Sequence, residues 1–350
     1  MNEKIPIGIL GATGSVGQKI VELLTDHPWF EVSELAASEK SFNKTYYEAT
    51  NWILSTQLNT RVGNLRVKRC SPNLNSRIVL SALDSSVAGE IELEFAKSGY
   101  IVISNARNHR FDKNVPLIIP EINPEHLGLI KTQEFNKGMI VTNPNCSTIG
   151  LVIALKPLND MFGIRDVNVV TLQAISGGGY PGIASMDILD NVIPYINGEE
   201  DKLKIEPLKI LGKFSNNGNI DYANINISAQ CNRVSVLDGH LECVQINLLD
   251  KTNIETIKSC WNNFKGIPQK INLPSAPEHP IIYFNNDFYP QPRMHRNLGN
   301  GMSVSIGRLR ECELFDYKFV VLSHNTMRGA AGGTVLLAEL MKAKGYFEGI

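Results

Sequence analysis

The residue best placed for covalent chemistry is Cys146, inside Asn143-Pro-Asn-Cys146-Ser-Thr148. The segment lies between a strand-like run, Met139 to Val141, and an apolar stretch, Ile149 to Leu158, that reads as a buried helix ending at a Lys-Pro. A thiol at a helix N-terminus has its thiolate stabilised, so its pKa is expected to fall. The thiolate is the nucleophile of acyl transfer. The competing use of a cysteine is as a small buried hydrophobe, and the polar, turn-forming flanks of Cys146 argue against it. The other five cysteines, 70, 231, 243, 260 and 312, take that bland reading.

A cysteine nucleophile needs a proton partner. The histidines are 27, 109, 126, 240, 279, 295 and 324. None shows a His-x-x-x-His spacing, so no metal is expected. His240 is set apart by Arg233, seven residues earlier, although spacing alone is a weak signal.

A second chemical feature is the turn Gly11-Ala-Thr13-Gly14-Ser15-Val16-Gly17. Glycines let a backbone approach a pyrophosphate, and the following helix N-terminus offers N–H groups and a positive dipole end. Glycine patterns of this kind count only between a strand and a helix. Here Ile5 to Leu10 is an apolar run, and Val16, Ile20, Leu23 and Leu24 recur as one helical face. A plain strand-to-helix turn is the weaker reading. The next strand, Phe30 to Ala37, ends in Ser38-Glu39-Lys40-Ser41. An NAD site puts an acid at such a strand end. Ser38, Lys40 and Ser41 instead suit a 2′-phosphate, hence NADP, with Glu39 pulling the other way and a plain polar loop as the alternative.

The elements that must position these residues follow in order. Ile78–Leu80, Ile101–Ile103 and Met139–Val141 are strand-like, with a helical stretch from Ile91 to Lys97. Alternating strand and helix implies a parallel sheet, and the first domain is expected to end near 146. Longer strands, Val167–Leu172, His240–Leu248, Val304–Leu309 and Phe315–Leu322, then imply a mixed sheet. Helices are expected at Asp201–Leu211 and Ile254–Phe264, and a loop at Ser215 to Asn219. A last helix, Gly333 to Lys344, is expected to return and close the first domain.

Composition sets the bounds. At ~150 residues per domain, 350 residues suggest two domains. Hydrophobic residues at 43% and charged residues at 20% describe a globular chain, not a disordered one. The net charge of -1 carries no basic stripe of the kind nucleic-acid binders use; the densest basic stretch, Arg66-Val-Lys68-Arg69, reads as solvated surface. No apolar run approaches the ~18 residues of a membrane span, and the N-terminus reads as a first strand, not a signal peptide. No cysteines are spaced Cys-x-x-Cys, which fits a reducing cytoplasm and excludes a disulfide framework or zinc knuckle.

The motifs converge on one resemblance. GATGSVGQ at 11–18, SNARNHRFDKNVPLIIPEIN at 104–123, NPNCSTIG at 143–150, QAISGGGYPG at 173–182, EPLKILG at 206–212, CNRVSVLDGHLE at 231–242 and LSHNTMRGAAGG at 322–333 resemble the fungal and archaeal branch of the aspartate-semialdehyde dehydrogenase family. The resemblance covers essentially the whole chain. It implies an α/β architecture: a Rossmann dinucleotide domain at 1–146, closed by a C-terminal helix at 325–350. An α+β catalytic and dimerisation domain of glyceraldehyde-phosphate-dehydrogenase type would occupy 147–324. The implied reaction is NADPH-dependent reduction of L-aspartyl 4-phosphate to aspartate semialdehyde and phosphate. By resemblance, Cys146 forms a thioester, His240 is the acid/base and Gln173 positions the acyl group. Arg233 would pair with the α-carboxylate and Glu206 with the α-ammonium. Lys209 and Arg110 would hold phosphate beside Asn145, with Arg107 a rival to Arg110. Ser81, Gly177, Gly178, Asn325 and Thr326 would join Gly11, Thr13, Gly14, Ser15, Val16, Ser38, Lys40 and Ser41 at the cofactor. A homodimer or homotetramer is implied. The alternatives are a malonyl-CoA reductase, an N-acetyl-glutamyl-phosphate reductase and a non-catalytic NADP-binding redox sensor.

Overall fold

The computed structural model describes residues 3–215 and 217–348. Residues 1, 2, 216, 349 and 350 lie outside the description, so the loop expected at 215–219 is described only around Asn216.

Six strands form the first sheet: β1 (Ile5–Leu10), β2 (Phe30–Ala37), β3 (Val67–Arg69), β4 (Ile78–Ser81), β5 (Ile101–Ser104) and β6 (Met139–Thr142). All neighbours are parallel, in the order β3-β2-β1-β4-β5-β6. Every residue of β4 and β5 is buried, as befits parallel strands covered on both faces. The order reverses between β1 and β4, and ligand crevices in such sheets open beyond the strand ends at this point.

The second sheet is mixed and has seven strands. Its members are β7 (Ile164–Gln173), β8 (Val192–Ile193), β11 (Asn226–Val234), β12 (His240–Leu248), β13 (Ile281–Phe284), β14 (Val304–Glu311) and β15 (Tyr317–Ser323). The order is β13-β14-β15-β12-β7-β11-β8, and the remaining pair, β9 (Lys213–Phe214) and β10 (Ile220–Asp221), forms a small hairpin. β11 carries no strand signature in sequence, because its alternate positions are Asn226, Ser228, Gln230 and Asn232, which read as loop.

The Cys146 helix runs to Phe162 and passes straight through Pro157, where the sequence placed its end. Proline removes one helical hydrogen bond. Nearby, the Trp261 indole N–H donates to the Ala154 carbonyl at 2.9 Å, tying the helix to its neighbour. The C-terminal helix, Gly332–Ala343, packs its Val335, Leu336 and Leu340 into the same core as Ile7 and Ile9 of the first sheet and Ile20 of the Ser15–Leu24 helix.

Candidate active site

Gly11 ends β1 with φ +72, and a Cβ there would meet the Ala82 carbonyl oxygen at 2.5 Å. A Cβ at Gly17 would meet the Gly11 oxygen at 2.3 Å. Only glycine fits at both positions, so the turn curls tightly onto the Ser15–Leu24 helix, whose N-cap is Gly14. Thr13 lies in the turn, and Ser15 and Val16 line a cleft of about 290 Å³ between the two sheets. The same cleft is lined by Arg107, Arg110, Asn145, Cys146, Gly177, Lys202, Asn325 and Thr326. Ser38 and Lys40 are exposed at the end of β2 and Ser41 is buried. Glu39 beside them is held by Arg69 Nε at 2.8 Å. Gly178 does not line the cleft, and Ser81 does not reach it: its side chain is fully buried and faces Glu92.

The Cys146 sulfur lies 3.2 Å from His240 Nε2. His240 begins β12, and its Nδ1 accepts the Ala174 backbone N–H at 3.0 Å. A neutral ring that accepts at Nδ1 carries its proton on Nε2, so His240 points a donor at the sulfur. Burial pushes His240 down to about 3, helped by Arg233. The expectation of a depressed thiol pKa does not hold. Burial, then the Glu199 carboxylate, pushes Cys146 up to about 12, against Lys202, Arg233 and Arg110. Helix amides favour a thiolate, but desolvation outweighs them. The resting pair is therefore neutral thiol and neutral imidazole. Gly329 packs directly on Cys146, where a Cβ would sit 2.6 Å from the cysteine Cβ.

Asn145 caps the Cys146 helix by accepting from the Ser147 and Thr148 amides. Its Nδ2 donates to Glu199 Oε1 at 2.7 Å, and its backbone N–H to Glu206 Oε2 at 2.7 Å. Gln173, at the end of β7, also donates to Glu199 Oε1, at 3.3 Å. Lys202 bonds the other Glu199 oxygen at 2.7 Å. Burial raises Glu199, but Lys202 and Asn145 outweigh it and hold the carboxyl below its usual range. Arg233, paired in register with Gln173, donates to the Ala174 carbonyl at 2.8 Å. A Cβ on Gly177 would lie 2.7 Å from Arg233 Nη1 and 3.2 Å from His240 Nε2, so the glycine segment closes over both. Asn325 fixes that segment, donating to Ser176 Oγ and accepting from the Gly239 amide.

Two expected residues are displaced from the chemistry. The Lys209 ammonium donates to the carbonyls of Arg110, Asp112 and Val115 and is buried away from the cleft, so it has no N–H left for phosphate. Glu206 is fully buried and bound to Arg110 Nη1 at 2.8 Å and to the Asn145 amide, so it faces no open space where an ammonium could sit. Lys202 lines the cleft instead, paired at 2.7 Å with the buried Glu199. The signal was legible as a repeat: Glu199-x-x-Lys202 and Glu206-x-x-Lys209 are seven residues apart on one helix, Glu199–Ile210. Seven residues are nearly two turns, so both pairs share a face and spacing cannot rank them. Depth does.

A parallel dinucleotide-type sheet meeting a cysteine–histidine pair at a helix start, ringed by Arg and Lys, is the layout of a dehydrogenase that works through an acyl-cysteine. Family models agree: "Semialdehyde dehydrogenase, NAD binding domain" matches residues 6–130, and "Semialdehyde dehydrogenase, dimerisation domain" matches 155–328. The aspartate-semialdehyde dehydrogenase of Archaeoglobus fulgidus is 48% identical over 96% of this chain and 97% of its own length. That of Saccharomyces cerevisiae is 44% identical over 96% and 97%. The crystal structure of the Candida albicans enzyme with NADP superposes with a TM-score of 0.91 at 43% identity, covering 97% of this chain and 99% of that one. This chain belongs to the aspartate-semialdehyde dehydrogenase family.

Proposed function

We propose that this protein reduces L-aspartyl 4-phosphate to L-aspartate 4-semialdehyde and phosphate with NADPH, in the biosynthesis of lysine, methionine, threonine and isoleucine. The observation that carries the reading is the Cys146 sulfur 3.2 Å from His240, with Arg110 and Lys202 lining the same cleft and the charges of Glu199 and Arg233 also acting on that sulfur. The Gly11–Gly17 turn fits a pyrophosphate because a Cβ at either end would fill the cradle. Thr13, Ser15 and Val16 would hold it there, with Ser38, Lys40 and Ser41 at the adenosine end and Gly177, Asn325 and Thr326 at the other. When bound, NADPH supplies the hydride that reduces the acyl group.

Cys146 attacks the acyl carbon as its thiol proton passes to His240 Nε2; the C–S bond forms as the C–O bond to phosphate breaks. Arg110 and Lys202 receive the departing dianion, a role cations serve through charge-assisted hydrogen bonds. Arg233 forks the α-carboxylate and Glu199 takes the α-ammonium. Gln173 and Asn145 hold Glu199 in place. His240 donates from Nε2 to charge on the sulfur, and taking the thiol proton there requires its other tautomer and release of the Ala174 amide. After reduction the C–S bond breaks and the aldehyde leaves.

We further propose that residues 1–146 with 325–350 form the cofactor domain and 147–324 the catalytic one, that the chain pairs through the outer face of the second sheet into a homodimer or a tetramer, and that it works in the cytoplasm. The test is phosphate-dependent NADP reduction with aspartate semialdehyde. Turnover that requires both phosphate and the amino-acid substrate supports the reading. Preference for malonyl-CoA, which lacks the ammonium, refutes it.

A further inference from the structure

One short segment touches both members of the Cys146–His240 pair. Ser323, the last residue of β15, is the cross-strand partner of His240. Asn325 follows and accepts from the Gly239 amide at 2.8 Å. The chain then makes one wide turn, Met327–Ala331, in which the Gly329 N–H donates to the His324 carbonyl and the Ala331 N–H to the Thr326 carbonyl, each at 3.0 Å. Both bonds span five residues, the π spacing, which is rare and gathers at functional sites. The turn lays Gly329 on Cys146: a Cβ there would stand 2.6 Å from the cysteine Cβ and 2.9 Å from its Cα. Backbone packed this closely on the Cβ limits the rotamers open to the sulfur.

Arg328 seats the turn. Its guanidinium forks both oxygens of Glu121, Nη1 donating to Oε1 at 2.8 Å and Nη2 to Oε2. The two side chains are 1% and 0% exposed. Glu121 is itself fixed from behind: the Gln269 amide donates to Oε1 at 3.4 Å, and a Cβ on Gly266 would meet the Glu121 Cα at 2.5 Å. Lys202, Arg233 and Arg110 supply the positive charge felt by the Cys146 sulfur, whereas the charge of Arg328 is spent on Glu121. A buried ion pair gains little net stability over apolar residues of like volume, and its best attested use is to fix register.

We propose that Arg328 and Glu121 are positioning residues for the nucleophile. Their fork sets the pitch of the wide turn, the turn sets Gly329 against the Cys146 Cβ, and that contact holds the sulfur at its 3.2 Å approach to His240 Nε2. The fork acts by direction and not by charge; a lysine at 328 would keep the charge and lose the paired bonds. The proposal rests on Cys146 being the nucleophile.

The test uses the full chain, the variant Arg328→Lys and the double variant Glu121→Leu with Arg328→Met. It reads the unfolding temperature, steady-state kinetics, and the rate of Cys146 alkylation by iodoacetamide, mapped by mass spectrometry. The double variant replaces the pair with apolar side chains of similar length and should unfold near the wild-type temperature. Both variants should lose roughly 10- to 100-fold in kcat, with KM for aspartate semialdehyde within about threefold, because a displacement of about 1 Å at a reacting atom costs that much. Alkylation of Cys146 should slow roughly fivefold or more, since a misaligned His240 N–H no longer favours the thiolate. Wild-type kcat and alkylation in either variant overturn the proposal. So does a loss of kcat that tracks a fall in unfolding temperature with alkylation unaltered, which is the mark of a merely structural pair. Should the double variant not fold, Arg328→Lys decides. The alkylation arm needs no substrate, so it stands apart from failure of the aspartyl-phosphate reading.

Discussion

Glu199 accepts a hydrogen bond from Asn145 at 2.7 Å, while Asn145 caps the helix that begins at Cys146. One side chain thereby links the carboxylate assigned to the substrate ammonium with the turn that carries the nucleophile.

Glu199→Gln should lower kcat/KM for aspartate semialdehyde by roughly 30- to 1000-fold, because an ammonium left without its partner in a water-poor site costs ~2–4 kcal/mol. Steady-state kinetics on that substrate decides it. Glu206→Gln should differ in kind, weakening the buried bond to Arg110 and lowering the unfolding temperature as well. Near-normal kinetics for Glu199→Gln would remove Glu199 from the site.

Cys146→Ala should abolish turnover and leave NADP affinity nearly intact, since Cys146 lies outside the glycine turn. Mass spectrometry of the wild type with aspartyl phosphate, without NADPH, should find an acyl adduct on Cys146. In the free enzyme, alkylation of Cys146 should keep climbing with pH, with no plateau near neutrality, because burial pushes its thiol up to about 12. An adduct on another cysteine means the nucleophile lies elsewhere.

Three buried histidines make the fold acid-sensitive. Burial holds His126 at about 4, His240 at about 3 and His324 at about 4. Each folded value lies below the unfolded one, so the unfolded chain binds more protons as pH falls beneath ~6.5. Stability is full above that pH and is lost toward the folded values, by on the order of 2 kcal/mol per histidine at pH 5. Urea unfolding at pH 7 and pH 5 should show the loss, and His126→Asn should reduce it. Equal midpoints at both pH values would contradict the buried neutral state.

NADP should be preferred over NAD. Lys40 is exposed at the end of β2, and Arg69 occupies the neighbouring Glu39 carboxylate, so the local charge is left to favour a phosphate. Lys40→Glu should lower kcat/KM for NADP roughly 5- to 150-fold, or ~1–3 kcal/mol, and leave NAD little changed. Equal efficiency of the two cofactors in the wild type would sink the assignment.

The parallel sheet was legible because its strands are short apolar runs between helical periods, and the glycine turn because its glycines fall between an apolar run and a helical face. Cys146 and His240 were legible from flanks and resemblance. Glu199 and Lys202 were not, since a seven-residue repeat looks alike at both copies until burial separates them. Nor could the sequence show that Lys209 spends all three N–H groups on backbone carbonyls. A helix start is visible in sequence and desolvation is not, so the sequence points to a depressed thiol where burial raises it.

The bond between His27 and Glu339 joins residues 312 apart at 2.8 Å. A ribosome making this chain releases the first sheet early, yet the helix that seals its core emerges only after every strand of the second sheet. Glu339 also accepts from Ser275, so the seal draws on the second half of the chain too. The core of the cofactor module therefore stays incomplete until that helix has emerged. Its apolar face waits, guarded or exposed, until then, and a nascent chain stalled just short of residue 332 should be the species most readily captured by chaperones.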